Sequence, residues 1–230
     1  MSSELGRRAF LKKAAIVLGG SLLASPLLTE SLFGAVKQEN EISPNEDLMR
    51  EHGVLRRIIL IYREAIFRIE NNGELNPVLL HKSASIVRHF IEDYHEKLEE
   101  NFLFPRFEKA GLLVNLVNTL KIQHQTGRKL THAILGLANP KQLKVNSNNL
   151  VKILSQFIKM YEPHAAREDT VLFPALKTIV SDREYQEMGE QFEAEEHKQF
   201  GKEGFEGIVS QVAIIEKELN IYDLSKFTPK

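Results

Sequence analysis

The chain carries an internal repeat that places a histidine and a glutamate one helical turn apart, twice. Residues 95–105 follow the pattern His-x-x-x-Glu-x-x-x-Leu-Phe-Pro, and residues 164–174 follow it again 69 positions later. On an α-helix, residues i and i+4 lie on one face, about 6 Å apart along the axis. The repeat therefore predicts two facing helices that each direct one imidazole and one carboxylate into a shared interior.

Two further histidines extend this pattern. His52 precedes the first copy, and His124 lies 72 positions after His52, before the second copy. Imidazole and carboxylate groups that face an apolar core are costly unless they are paired or bound to metal. The arrangement thus predicts a pair of metal ions, with each carboxylate bridging the two. The predicted ligands are His52, His95, Glu99, His124, His164 and Glu168.

Composition narrows the choice of metal. The chain has no cysteine, which excludes disulfides, thiolate zinc sites and iron–sulfur clusters. Histidine and carboxylate ligands suit iron, and they also accept zinc or manganese. Four histidines and two carboxylates leave two irons short of full coordination, so water, oxide, dioxygen, peroxide or nitric oxide could complete it.

Hydrophobic residues recur at helical spacing after residue 44, without the alternating runs that are typical of strands. Pro163 predicts a kink, and Ser181 with Glu184 predicts a capping box. Short loops between long helices favour an all-α, up-down-up-down four-helix bundle with an additional C-terminal helix. The predicted helices are residues 46–71, 77–109, 113–138, 147–180 and 182–219.

The N-terminus has the layout of an export signal. Residues 6–12 contain an Arg-Arg pair, and an apolar stretch of residues 14–28 follows, too short for a comfortable membrane span. The pair, with Phe10-Leu11-Lys12, resembles a twin-arginine signal, although Gly6 stands where that pattern prefers Ser or Thr. We expect recognition by the twin-arginine machinery and export to the periplasm or cell envelope. An ordinary secretory signal or an amphipathic anchor is the alternative.

The expected organisation is a signal peptide at 1–35, a linker at 36–44, the helical bundle with its extra helix at 45–222 and a tail at 223–230. Ala35 is the best match to a cleavage site, and an uncleaved signal would anchor the protein in the membrane. The formal net charge is −1, and no basic stripe is visible. Nucleic acid is therefore not an expected partner.

Together these motifs make residues 45–200 similar to the hemerythrin-like, HHE cation-binding family. The resemblance implies a four-helix bundle around an oxo- or hydroxo-bridged di-iron centre. It also implies functions such as dioxygen binding, oxygen or redox sensing, iron handling, and responses to nitric oxide or peroxide. Besides the two repeat copies, it is carried by Asp47-Leu48, Glu51-His52, His124 and Gly127-Arg128.

Two positions depart from the oxygen carriers of that family. The oxygen carriers have a second histidine one turn after the third-helix histidine. This chain has Arg128 there, so reversible oxygen carriage is disfavoured. His197 or His132 are alternatives for that vacancy. The carriers also use His-x-x-x-x-Asp on the fourth helix, which makes Asp169 an alternative bridge, although the repeat favours Glu168.

Three functions follow from this pattern. The first is a di-iron protein that captures or senses a small ligand such as dioxygen, nitric oxide or peroxide. The second is a di-iron oxidoreductase that reduces peroxide or nitric oxide, or a ferroxidase. The third is a metal-free helical module that binds a partner through its surface.

Overall fold

The computed structural model describes residues 42–229, and every regular element in that range is helical, which confirms the all-α prediction there. The predicted signal peptide and all but the end of the predicted linker lie outside the described residues. The main helices are α1 (Pro44–Glu70), α2 (77–110), α3 (Val114–Leu137), α4 (140–176), α5 (Asp182–Phe200) and α6 (Gly204–Glu218), followed by a 3-10 turn (Leu224–Phe227).

Four of the six main helices in the described range start at a polar side chain that caps them. Ser43, Asn76, Asn139 and Ser181 each precede a helix, and each accepts a hydrogen bond from a backbone N–H of the first turn. Such caps satisfy donors that have no partner inside the helix. At Ser181 the carboxylate of Glu184 also bonds back to the cap, so the predicted capping box is present.

The start of the fourth helix differs from the prediction. The helix begins at Pro140, because Asn139 caps the N–H of Gln142 and proline is suited to the first helical position. The predicted start at 147 instead lies directly after a kink within this helix, where Asn146 has non-helical angles (φ −129°, ψ 23°). At Pro163, where a kink was predicted, the helix continues to Arg167.

The prediction of a single C-terminal helix at 182–219 is wrong. Gly201 has φ +67° and Gly204 has φ +44°, in the left-handed region that favours glycine, so the chain turns there. α5 and α6 are therefore separate helices, and both pack against α1 and α2.

Both copies of the repeat contain a π-helical segment directly before Phe-Pro. These segments are Glu99–Leu103 in α2 and Glu168–Leu172 in α4. Proline lacks an N–H, and its ring collides with the carbonyl group four residues earlier in a regular helix. The wider π turn accommodates both effects, so each helix continues past its proline. A third π segment, Val87–His95, ends at a predicted ligand.

The four helices that carry the predicted ligands pack as a ring. α1 contacts α2 and α4, and α3 contacts the same two helices. Large side chains such as Tyr62, Phe157 and Tyr161 are fully buried between them. The ring places one face of each helix towards a common interior. Among residues 42–229, no helix is long and apolar enough to cross a membrane.

We expect Ser181→Ala to lower the free energy of unfolding by about 1 kcal/mol, because it removes the cap of α5. Urea denaturation followed by circular dichroism would measure this. Ser210→Ala, at an exposed position within α6, is the control and should be neutral or slightly stabilising. Equal effects of the two substitutions would contradict the role of the cap.

Candidate metal centre

All six predicted ligands meet in the interior of the helix ring. Each is at most 4% exposed. His52 comes from α1, His124 from α3, and one His–Glu pair from each of α2 and α4. Their donor atoms form two groups that share Glu99, with all atoms of a group within 4.8 Å of one another. The groups are His52, His95 and Glu99, and Glu99, His124, His164 and Glu168.

The two carboxylates each reach from one pair of histidines to the other. We call the pair His52 and His95 position A, and the pair His124 and His164 position B. The Nε2 atoms of the position A pair are 3.1 Å apart. Glu168 Oε2 lies 3.1 Å from His164 Nε2 and 3.3 Å from His52 Nε2, while Glu99 lies 3.3 Å from His124 Nε2 and 3.8 Å from His95 Nε2.

The outer nitrogens of the four histidines form a closed ring of hydrogen bonds around the bundle. In each bond, Nδ1 of a histidine contacts a side-chain oxygen of the preceding helix. For the histidine of α1, the preceding helix in the ring is α4. All four partners accept, so each Nδ1 donates and each Nε2 faces inward. The pairs are His95–Glu51 (2.8 Å), His124–Glu100 (3.1 Å), His164–Gln123 (2.9 Å) and His52–Asp169 (2.7 Å).

Asp169 is thus an outer partner, and Glu168 occupies the inner position. Asp169 binds His52 Nδ1 and also pairs with Arg56. One residue further along a helix means a rotation of about 100°, which directs Asp169 towards the seam between α4 and α1. The 69-residue repeat had favoured Glu168 as the inward carboxylate, and the geometry agrees.

Phenylalanines of the repeat cover two of the histidine rings. Phe173 stacks on His52 at 5.5 Å between ring centroids, and Phe104 stacks on His124 at 5.4 Å. Both phenylalanines are fully buried. Leu-Phe-Pro therefore contributes a wall of the site that excludes water and keeps the imidazoles in place.

Arg128 does not face the centre. Its guanidinium lies 2.8 Å from Glu96 and 2.8 Å from Glu100. Glu100 also accepts a hydrogen bond from Nδ1 of His124. The Tyr161 hydroxyl donates to the other oxygen of Glu96 at 2.8 Å. Arg128 thereby supports a carboxylate that orients a histidine. His132 and His197, the alternatives for an extra ligand, are exposed and lie outside the cluster.

Burial shifts the protonation of the inner groups in opposite directions. Burial lowers the pKa of His52, but hydrogen bonds with Asp169 and Glu168 outweigh it and raise the pKa to about 9. Burial, followed by repulsion from Glu168, raises the pKa of Glu99 well above its usual value. Burial lowers the pKa of His124 to about 4. Without metal, the positive charge of His52 therefore compensates part of the buried negative charge near neutral pH.

Several inner atoms have lone pairs that the protein leaves without donors. Both oxygens of Glu99 and Nε2 of His124 are buried and make no hydrogen bond within the described chain. Such atoms destabilise a folded protein by about 1–3 kcal/mol each, and more when charged. A pair of divalent cations would accept these lone pairs, so the residues fit the metal centre that the sequence predicts.

Sequence reasoning missed the outer partners as a group, although a signal for them existed. Each one is the sequence neighbour of a ligand on its own helix, yet it bonds to a histidine of another helix. Glu51 precedes His52, for example, but binds His95. Adjacency to a ligand in the sequence predicts that a side chain lies between two neighbouring helices. Which histidine it binds depends on which helices pack together.

Comparison with known proteins identifies relatives by sequence. The model of the hemerythrin HHE cation binding domain matches residues 43–176 and, in a second match, 115–213. The chain is also 48% identical over 195 residues to uncharacterized proteins of Mycobacterium bovis and Mycobacterium tuberculosis, covering 84% of this chain and 76% of each relative. No solved structure matches the chain significantly.

Gly127→Ala should destabilise the protein by about 1–3 kcal/mol. A Cβ at Gly127 would lie 1.9 Å from the Tyr161 hydroxyl, so the tyrosine would have to leave Glu96. Thermal and urea unfolding would measure the loss. Gly136→Ala, in the same helix with nothing within 4 Å of its Cβ, is the matched control and should be neutral or stabilising. A neutral Gly127→Ala would contradict the close contact.

Proposed function

The chain belongs to the hemerythrin HHE cation-binding family, and we propose that it holds two iron ions, at positions A and B, and binds a small ligand there. Dioxygen, nitric oxide and peroxide are the proposed ligands. In this proposal α1 to α4 form the family's up-down-up-down bundle, with α5 and α6 added at its side.

The observation that supports a metal pair most directly is the convergence of imidazole nitrogens and carboxylate oxygens. Four Nε2 atoms and two carboxylates converge at 3.1–3.8 Å, and the outer hydrogen bonds fix each imidazole in the form that binds metal. Nitrogen and oxygen ligands of this kind suit iron, and they also suit zinc or manganese. A metal-free interaction module would have no use for these buried groups, which destabilise it.

Bound iron would supply a redox couple and open coordination positions for the ligand. Two histidines and two shared carboxylates at each position leave room for such a ligand. Arg128 is occupied by Glu96 and Glu100, so it closes no open position. Phe104 and Phe173 limit water at the histidines. This arrangement supports ligand capture, and the same open positions would serve peroxide or nitric oxide reduction, or ferroxidation.

We further propose that the protein works in the periplasm or cell envelope after export by the twin-arginine machinery. The support is the Arg7-Arg8 pair with the apolar residues 14–28. Arg7→Lys together with Arg8→Lys should leave the protein in the cytoplasm. Cell fractionation with antibody detection would measure this, and unchanged export would contradict the twin-arginine route.

Protein produced in iron-containing medium should carry about two iron atoms per chain and absorb in the near ultraviolet as a bridged ferric pair. His95→Ala and His164→Ala should lose most of this iron, as measured by elemental analysis. His132→Ala and His197→Ala remove exposed histidines and should retain it. Iron-free wild-type protein with full helicity would overturn the proposal, and stoichiometric zinc or manganese would change the metal.

Metal loading should release protons near neutral pH. The raised pKa of His52 means that both of its ring nitrogens carry protons near neutral pH in the metal-free protein, and metal must displace the inner proton. Metal affinity should therefore rise with pH until it passes the His52 pKa of about 9. Anaerobic calorimetric titration with ferrous iron, in buffers of different ionisation enthalpy, would count the protons. Heat that is independent of the buffer would contradict this expectation.

Rapid mixing separates ligand binding from turnover. Reduced, iron-loaded protein should change its absorption once on mixing with dioxygen or nitric oxide, and the change should reverse when the ligand is removed. Consumption of many equivalents of peroxide or nitric oxide in the presence of a reductant would instead favour the oxidoreductase.

A further inference from the structure

We propose that positions A and B hold iron with unequal strength, and that Gln123 is the positioning residue that makes position B the labile one. This inference rests on the proposed function. It arises from the residues that hydrogen-bond to the ligand histidines. The internal repeat extends to these residues, and Gln123 is the one acceptor that departs from it.

The repeat extends to the arginines of the outer shell. Arg56 follows His52 by four residues, and Arg128 follows His124 by four residues. Arg56 pairs with Asp169, and Arg128 pairs with Glu100. Arg128 is therefore the counterpart of Arg56, and each arginine supports the carboxylate that accepts from the histidine one turn before it.

The acceptors of the outer ring repeat as well. Glu100 and Asp169 each follow an inward glutamate directly, 69 positions apart, and both are carboxylates. Glu51 and Gln123 each precede a histidine directly, 72 positions apart, but only one of them is a carboxylate. His95 at position A thus donates to a carboxylate, whereas its counterpart His164 at position B donates to a neutral amide.

This difference changes how strongly the imidazole binds metal. A carboxylate that accepts the Nδ1 proton raises the basicity of the imidazole and strengthens the Nε2–metal bond, and loss of such a partner typically weakens metal binding by about 10–100-fold. An amide oxygen is the weaker acceptor, because a charge-assisted hydrogen bond is roughly twice as strong. His164 is consequently the weaker donor of the two.

Exposure acts in the same direction. Both histidines of position A donate to carboxylates, Glu51 and Asp169, whereas at position B only His124 does so, to Glu100. Glu51 is fully buried, whereas Gln123 is partly exposed, so water and chelator reach the His164 side first.

The experiment is iron release from the full-length, ferrous-loaded protein under anaerobic conditions. A ferrous chelator in excess reports release by absorbance, and wild-type protein should lose its two irons in two phases of equal amplitude. Gln123→Glu keeps the shape of the side chain and adds the missing carboxylate, so it should slow the fast phase about tenfold or more and leave the slow phase unchanged.

Two further variants complete the comparison. Glu51→Gln gives position A the neutral partner that position B has, so it should accelerate the slow phase and leave the fast one unchanged. Gln125→Glu, two residues from Gln123 at an exposed position of the same helix, adds the same charge away from His164 and should alter neither phase. Circular dichroism and iron content at saturation confirm that each variant is folded and loaded.

The outcomes separate this inference from the proposed function. Wild-type protein that binds no iron would defeat the proposed function. Two irons released in a single phase would overturn the inequality of the positions while leaving the proposed function intact. Two phases that Gln123→Glu leaves unchanged, or that Gln125→Glu slows equally, would overturn the role of Gln123.

Discussion

The ring of four histidine hydrogen bonds is the interaction on which the rest of the site depends. Each helix from α1 to α4 contributes one acceptor and receives one donor, so the bonds link α1 to α2, α2 to α3, α3 to α4 and α4 to α1. Three acceptors are carboxylates, which form the stronger, charge-assisted kind of bond. The ring orients every imidazole and links each of the four helices to its two neighbours.

The buried carboxylates at the centre of the ring destabilise the folded protein. Glu99 and Glu168 are fully buried and close to each other, and the pKa of Glu99 rises well above its usual value because of burial and of that neighbour. The surrounding hydrophobic core compensates for this unfavourable cluster. In this core, the rings of Phe157 and Tyr62 pack edge to face with their centroids 5.1 Å apart. Metal binding would remove the cost, which links metal affinity to stability.

Helix irregularity serves the same centre. The two inward glutamates begin π-helical segments, and a proline follows each segment without ending its helix. A π turn rotates the side chains that follow it relative to a regular helix. It allows Phe104 and Phe173 to stack on histidines of neighbouring helices, so the repeated Leu-Phe-Pro both shapes the helix and covers the site.

Sequence alone determined the all-α class, the capping box at Ser181 and the six residues that face the interior, because each depends on spacing within one helix. Spacing also gave the choice of Glu168 over Asp169. The tertiary structure decided what depends on contacts between helices: the partner of each Nδ1, the turn of Arg128 towards Glu96 and Glu100, and the exposure of His132 and His197. It also decided the break at Gly201, since a glycine within an amphipathic pattern is compatible with either a helix or a turn, and only the packing of α5 and α6 on α1 and α2 selects one.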